Sequence, residues 1–227
     1  MRRPAQAQDV SSPVVITTTP GRGLARYAVA WAYLALFVVT NIIYVCLPPG
    51  SRLALQSWAS TNIANLRHDP AGCLVASAFI PSGSSIAWPA LVAVALLGAS
   101  KVLGSWRTAL VCAAGHVLGT LVSEGVLAYR ISHGLLPESD SRITDVGPSY
   151  VVVSAITVAV LYGPWLVRIL AGLALSLMIF VGDIFSGLST LQVAAVGHVT
   201  AIAVGASLGG FLAWRLRCRS RLTGQPR

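Results

Sequence analysis

Charge is what this sequence has least of. Only 10% of its 227 residues are Asp, Glu, Lys or Arg, while 55% are hydrophobic and the mean hydropathy is +0.74. No ordinary soluble domain of this size has that balance, so the chain is read as an all-α, polytopic membrane protein. Acidic residues are rarer than basic ones, 7 against 16, giving a net charge of +9. Nucleic acid is still excluded as a partner: no basic residue falls on an aromatic or phosphate-binding motif, and the arginines cluster beside apolar runs. The four cysteines Cys46, Cys73, Cys112 and Cys218 form no CxxC pair and no Cys/His metal spacing, so no metal and no cofactor is expected. Cys112 falls inside a span and Cys218 on the cytoplasmic side. Only Cys46 and Cys73 could share an oxidising face, and whether they pair stays open.

What is present is a series of apolar runs. Residues 1–26 carry Arg2, Arg3, Arg22 and Arg26 without a period of 2 or 3.6, which predicts a disordered cytoplasmic arm. Tyr27 to Leu47 is long enough to span, and no small-x-small cleavage site precedes Pro48-Pro49, so it reads as an uncleaved signal anchor. Pro48 to Ser85 mixes polar residues with short apolar pieces, the pattern of a structured external loop in the membrane interface. Ile86 to Gly104 and Trp106 to Tyr129 are the second and third spans, the third carrying His116, Ser123 and Glu124. His116 and Glu124 lie near one face of that helix and form a possible second polar site.

After the polar loop Arg130 to Gly147 comes an anomaly. The apolar run from Ser149 ends at Gly163-Pro164, so at ~1.5 Å per residue it covers roughly 21 Å of a hydrocarbon core about 30 Å thick. A fourth helix that short must begin inside the membrane, with a loop descending to meet it. Irregular backbone at that depth is tolerated only where protein or a water-filled cavity surrounds it. Val167 to Phe185 is the fifth span, Thr190 to Trp214 the sixth, and residues 215–227 a basic cytoplasmic tail. Under six spans, four of the sixteen basic residues fall outside (Arg52, Arg67, Arg130 and Arg142), leaving twelve inside. The excess of inside charge predicts a multi-pass protein of the plasma (inner) membrane with both termini cytoplasmic, and the tail arginines suit anionic lipids.

The sixth span holds the residues of most chemical interest. Gly197, Ala201, Gly205 and Gly209 recur every fourth place along one face, a stripe that lets a neighbouring backbone approach closely. His198 stands beside it, and an imidazole at that depth is functional by default. Ser149, ~9 Å below the outer surface, and His198, ~12 Å below it, are at matching depth. Gly147-Pro148 before the serine suits a helix start, where the N-terminal dipole favours a developing oxyanion. Serine becomes a nucleophile when a base, most often histidine, can take its proton.

At this point the chain resembles the rhomboid intramembrane serine proteases, over most of Tyr27 to Trp214. That family has six spans, a Gly-x-Ser-Gly opening a short fourth helix, and a histidine on the sixth followed by spaced glycines. The corresponding stretches read Gly147-Pro148-Ser149-Tyr150 and Gly197-His198-Val199-Thr200-Ala201, then Gly205 and Gly209. The resemblance implies a Ser149 nucleophile, a His198 base, the Ser149 backbone N–H in the oxyanion hole, and transmembrane proteins as substrates or clients. Three departures stand out. The second motif glycine is Tyr150; the position one turn later, often an aromatic, is Val153; and Phe79 to Leu91 holds Pro81, Ser82, Ser84, Ser85 and Trp88 where the family has His and Asn.

Two functions therefore remain in view, a protease that cleaves membrane segments and an inactive relative that binds them. A small transporter using His116, Glu124 and His198 is disfavoured by the absence of an internal repeat. The topology has its own check. A reporter that is active only outside the membrane is expected to stay silent when fused after Arg227, and activity there contradicts the assignment.

Overall fold

The chain is described by a computed structural model covering residues 21–82 and 87–223. Residues 1–20 of the expected arm, Ser84 and Ser85 of the second-span motif, and residues 224–227 of the tail lie outside the described residues. Every regular element among the described residues is helical.

Helix α1 (Gly21–Ala25) lies within the expected arm, and the arm's last residue, Arg26, is held by the Ser100 carbonyl at 3.1 Å and by that of Lys101. Helix α2 (Ala28–Cys46) ends where Leu47-Pro48-Pro49 removes the donors a helix needs. The stretch expected to be an external loop folds into α3 (Pro49–Ala59), α4 (Ile63–His68) and α5 (Pro70–Ser77). Their starts are chemically plain: proline opens α3 and α5, the Asn62 side chain accepts from the Asn65 N–H at 2.9 Å, and Asp69 accepts from the Gly72 N–H at 2.9 Å.

Helix α6 (Ala87–Leu103) stops at Gly104, whose φ of 78° turns the chain directly into α7 (Ser105–Ser132). After a 3-10 turn at Glu138–Arg142 come α8 (Ser149–Tyr162) and α9 (Trp165–Phe180). A second 3-10 turn, Leu188–Thr190, precedes α10 (Val193–Thr223). Helices α2, α7 and α10 are long and apolar enough to cross a membrane, while α6, α8 and α9 are shorter apolar helices. The chain is an all-helical, multi-pass membrane protein.

Two helices differ most from the sequence reading. Helix α9 ends at Phe180 rather than Phe185, because Asp183 takes a left-handed φ of 47° and a Cβ at Gly182 would lie 2.7 Å from the Met178 carbonyl oxygen. Helix α10 starts at Val193, just after Leu191 with its left-handed φ of 55°, and runs past Trp214 to Thr223. Arginine is a good helix former, and cations suit the negative end of the helix dipole.

Helix α8 is the axis of the bundle. Every residue from Tyr150 to Ala159 is buried, with α6, α7, α9 and α10 packed around it. A short helix that is apolar on all sides belongs inside protein. Helices α8 and α10 run parallel: Tyr150 meets Gly197, Ser154 and Thr157 meet Gly205, and Val158 meets Gly209. Helix α7 runs the opposite way, Gly115 against Ser154 and Gly119 against Tyr150.

The closeness of the α8–α10 contact predicts an asymmetric pair of substitutions. A Cβ at Gly205 would lie 2.5 Å from the Ser154 carbonyl oxygen, a backbone atom that cannot swing aside, whereas Gly172 on α9 has nothing within 4 Å. Gly205→Ala is expected to destabilise the protein by about 1–3 kcal/mol. Gly172→Ala is expected to be neutral or to stabilise by up to about 1 kcal/mol. Unfolding in detergent measures both, and equal effects would contradict the packing.

Candidate functional site

The site is assembled where α8 and α10 begin. Gly147 has φ 139°, a conformation that favours glycine, and a Cβ there would meet the Ser82 Oγ at 3.1 Å. Its N–H donates to the Ser77 carbonyl at 3.1 Å, fastening the descending loop to α5. Pro148 follows, and its carbonyl accepts the first helical bond from the Val152 N–H at 2.9 Å. Ser149 is therefore the first residue of α8 and is half-buried. Among the described residues its hydroxyl makes no hydrogen bond, so no Ser149–His198 bond is formed in this state. Catalytic hydrogen bonds are often long without substrate and tighten only when it binds.

His198, in the second turn of α10, is 5% exposed. Its Nδ1 lies 2.8 Å from the Ile184 carbonyl oxygen. A carbonyl can only accept, so Nδ1 carries the proton and donates. In the neutral ring Nε2 is then the bare acceptor, and it has no hydrogen-bond partner among the described residues. The orienting partner is a backbone atom that sequence reasoning missed. Ile184 directly follows Asp183, whose left-handed φ of 47° turns the chain there. Only the Gly182-Asp183 pair, which ends α9 and turns the next carbonyl inward, hinted at it. Arg130 donates to the Thr190 carbonyl at 2.6 Å and the Leu191 carbonyl at 3.4 Å.

Tyr150 binds the site together. Its ring lies over Gly197, where a Cβ would come within 2.2 Å of the Tyr150 Cζ. It meets the His198 ring edge-on, with centroids 5.2 Å apart and an interplanar angle of 76°. The aromatic neighbour that Val153 cannot provide thus comes from the residue after the serine. The Tyr150 hydroxyl sits 3.1 Å from Asp145 Oδ2 and 3.4 Å from the Val193 carbonyl. Asp145 in turn donates its backbone N–H to Ser60 Oγ at 2.9 Å, and its carbonyl accepts from the Thr61 N–H at 2.8 Å. Burial pushes the Asp145 carboxyl above its ordinary range, and the Tyr150 and Thr61 hydroxyls pull it partly back.

The His116 and Glu124 pair is not joined. His116 Nε2 donates to the Leu74 carbonyl at 2.9 Å and lies 3.1 Å from Ser77 Oγ, so this histidine fastens α7 to α5. Its ring is 6.3 Å from that of Tyr150, on which both histidines therefore converge. Glu124 is two turns further along α7, 3% exposed, with neither carboxylate oxygen hydrogen-bonded among the described residues. Ala201 is fully buried within the α10 stripe. All four cysteines are free: Cys46 is exposed and Cys73 buried. Among the described residues no three His, Cys, Asp or Glu side chains gather as a metal site.

Above the site, a cavity of about 470 Å³ is lined by Arg130, Asp140, Asp145, Gln192 and Val193, among others. It reaches Asp145 and Val193, the two partners of the Tyr150 hydroxyl. A family model described as rhomboid-like protein matches residues 24–214 of the chain. No curated protein and no solved structure matches it.

Proposed function

We propose, on the premise that this chain belongs to the rhomboid-like family, that it is an intramembrane serine protease acting on the transmembrane segments of other membrane proteins. The observation that carries the reading is the His198 imidazole. It is locked by the Ile184 carbonyl in the tautomer that leaves Nε2 a buried, unpartnered acceptor, in van der Waals range of the helix that Ser149 opens. A general base needs that arrangement: one nitrogen held, the other bare.

In this reading six helices span the plasma (inner) membrane, α2, α6, α7, α8, α9 and α10, with both termini cytoplasmic. The Ser149 Oγ attacks the scissile carbonyl carbon as its proton passes to His198 Nε2. The oxyanion forms against the Ser149 N–H at the positive end of the α8 dipole. Collapse expels the amine, which takes the proton from Nε2, and an acyl ester remains on Ser149. Water then attacks the ester with His198 again accepting its proton, and Ser149 is restored. The cavity beside Asp145 and Gln192 is the external route by which that water arrives. Without the family's His and Asn on the second span, oxyanion binding falls to fewer donors. Losing one such donor costs about two to three orders of magnitude in rate, so slow turnover is expected.

Tyr150 favours a second reading, a catalytically inactive member that binds membrane helices. Its ring occupies the space over Gly197 beside His198, where the family motif has a glycine. The two readings part on covalent chemistry. A serine-reactive phosphonate is expected to label the wild-type protein in bilayers, and Ser149→Ala or His198→Ala alone is expected to abolish labelling because the pair acts as a unit. Labelling should rise with pH as a histidine gives up its proton, since only neutral imidazole accepts the serine's hydrogen. Absence of labelling in the folded wild type favours the helix-binding reading, and labelling that survives Ser149→Ala places the nucleophile elsewhere.

A further inference from the structure

His198 is held by a single hydrogen bond, from Nδ1 to the Ile184 carbonyl at 2.8 Å, and its Nε2 has no partner among the described residues. One such bond fixes a direction but leaves the ring free to tilt about the N–H···O axis, and that tilt swings Nε2 toward or away from Ser149. A second contact must stop it. The Tyr150 ring supplies one, meeting the imidazole edge-on with 5.2 Å between centroids and 76° between planes.

The hold on Tyr150 is in turn divided between packing and a polar contact. Its ring lies in a slot walled by backbone: a Cβ at Gly119 on α7 would come 3.1 Å from Tyr150 Cδ2 and 3.2 Å from the Gly197 carbonyl oxygen on α10. Two flat walls fix the plane of a ring but let it slide within that plane, so its reach is set at the hydroxyl. There Asp145 Oδ2 lies 3.1 Å away and the Val193 carbonyl oxygen 3.4 Å, which makes Asp145 the nearer acceptor. Asp145 is itself a fixed post. Its N–H donates to Ser60 Oγ at 2.9 Å, and its carbonyl accepts from the Thr61 N–H at 2.8 Å and from the Thr61 hydroxyl at 3.1 Å. Ser60 and Thr61 are buried at the junction of α3 and α4. These ties involve neither α8 nor α10, so Asp145 is anchored independently of the helices that carry Ser149 and His198.

We propose that Asp145 is a positioning residue for the base. Through the Tyr150 hydroxyl it sets the reach of the Tyr150 ring, and through that ring it fixes the tilt of the imidazole that aims Nε2 at Ser149. It acts on His198 through Tyr150 and takes no part in proton transfer. The consequence for rate rests on the protease reading; the orientation of the imidazole does not.

Two measurements on the full chain in bilayers test this. The nitrogen-15 signals of His198 are expected to shift alike in Asp145→Ala and Tyr150→Phe, and to shift no further in the double variant, because the two residues form one link. They are expected to stay as in the wild type in Asp145→Asn, whose amide oxygen still accepts the phenol hydrogen. Tyr150→Phe keeps the ring between its glycines and loses one hydroxyl, so it is read if Asp145→Ala does not fold. In the phosphonate reaction both single variants are expected to lower the maximal labelling rate by roughly tenfold or more. The half-saturating probe concentration and the pH midpoint are expected to stay in place, a pattern that general loosening of the site does not give. A wild type that never labels removes the rate consequence together with the protease reading, and the spectra alone then decide the positioning. A His198 signal unmoved by Tyr150→Phe, additive shifts in the double variant, or Asp145→Asn behaving as Asp145→Ala overturns the proposal.

Discussion

The close approach of α10 to α8 is the contact on which the other positions in the molecule depend. Helices in lipid gain little from burying apolar side chains against each other, because the surrounding chains are equally apolar; tight packing must supply the association. Here it is supplied by Gly197, Gly205 and Gly209, which admit Tyr150, Ser154, Thr157 and Val158 at distances no larger residue tolerates. The register of that seam fixes chemistry as well as packing. His198 follows Gly197 directly, so seating Gly197 on Tyr150 also brings the imidazole to the first turn of α8.

The two ends of α8 are held differently, and the difference suits a site at one of them. At the C-terminal end Gly163-Pro164 stops the helix, and the Tyr162 hydroxyl donates to the Ala206 carbonyl at 2.6 Å. At the N-terminal end the helix begins from irregular backbone, tied by Gly147 to Ser77 and by Asp145 to Ser60, Thr61 and Tyr150. Helices α3 to α5 therefore act as a brace for the serine's loop. Backbone groups that would be costly in lipid are satisfied by protein there, which is why a stretch of helices too short to span is nonetheless folded.

Much of this was legible from residue types alone. The short fourth helix follows from Gly147-Pro148 and Gly163-Pro164 as its punctuation, and the small face of α10 from a four-residue recurrence of Gly and Ala. Two of the parts that were not legible share a cause, which is that backbone atoms rather than side chains carry them. The partner of His198 Nδ1 is the Ile184 carbonyl, and Ile184 as a residue type signals nothing. The early end of α9 depends on the left-handed turn at Asp183, a conformation that sequence pattern does not announce. The Tyr150–Asp145 bond joins the first turn of α8 to the irregular loop before it, where no helical spacing applies. The continuation of α10 through its arginines was hidden by charge, which reads as tail but is compatible with helix once the chain has left the bilayer.

The account rests on His198 being held as a base toward Ser149. Nitrogen-15 spectra of the histidines, recorded in bilayers for the wild type and for Ser149→Ala, test it most directly. The account predicts that His198 carries its proton on Nδ1 with Nε2 bare at neutral pH, and that the Nε2 resonance moves when the Ser149 hydroxyl is removed. A proton on Nε2 instead, or a His198 signal indifferent to Ser149→Ala, would contradict it.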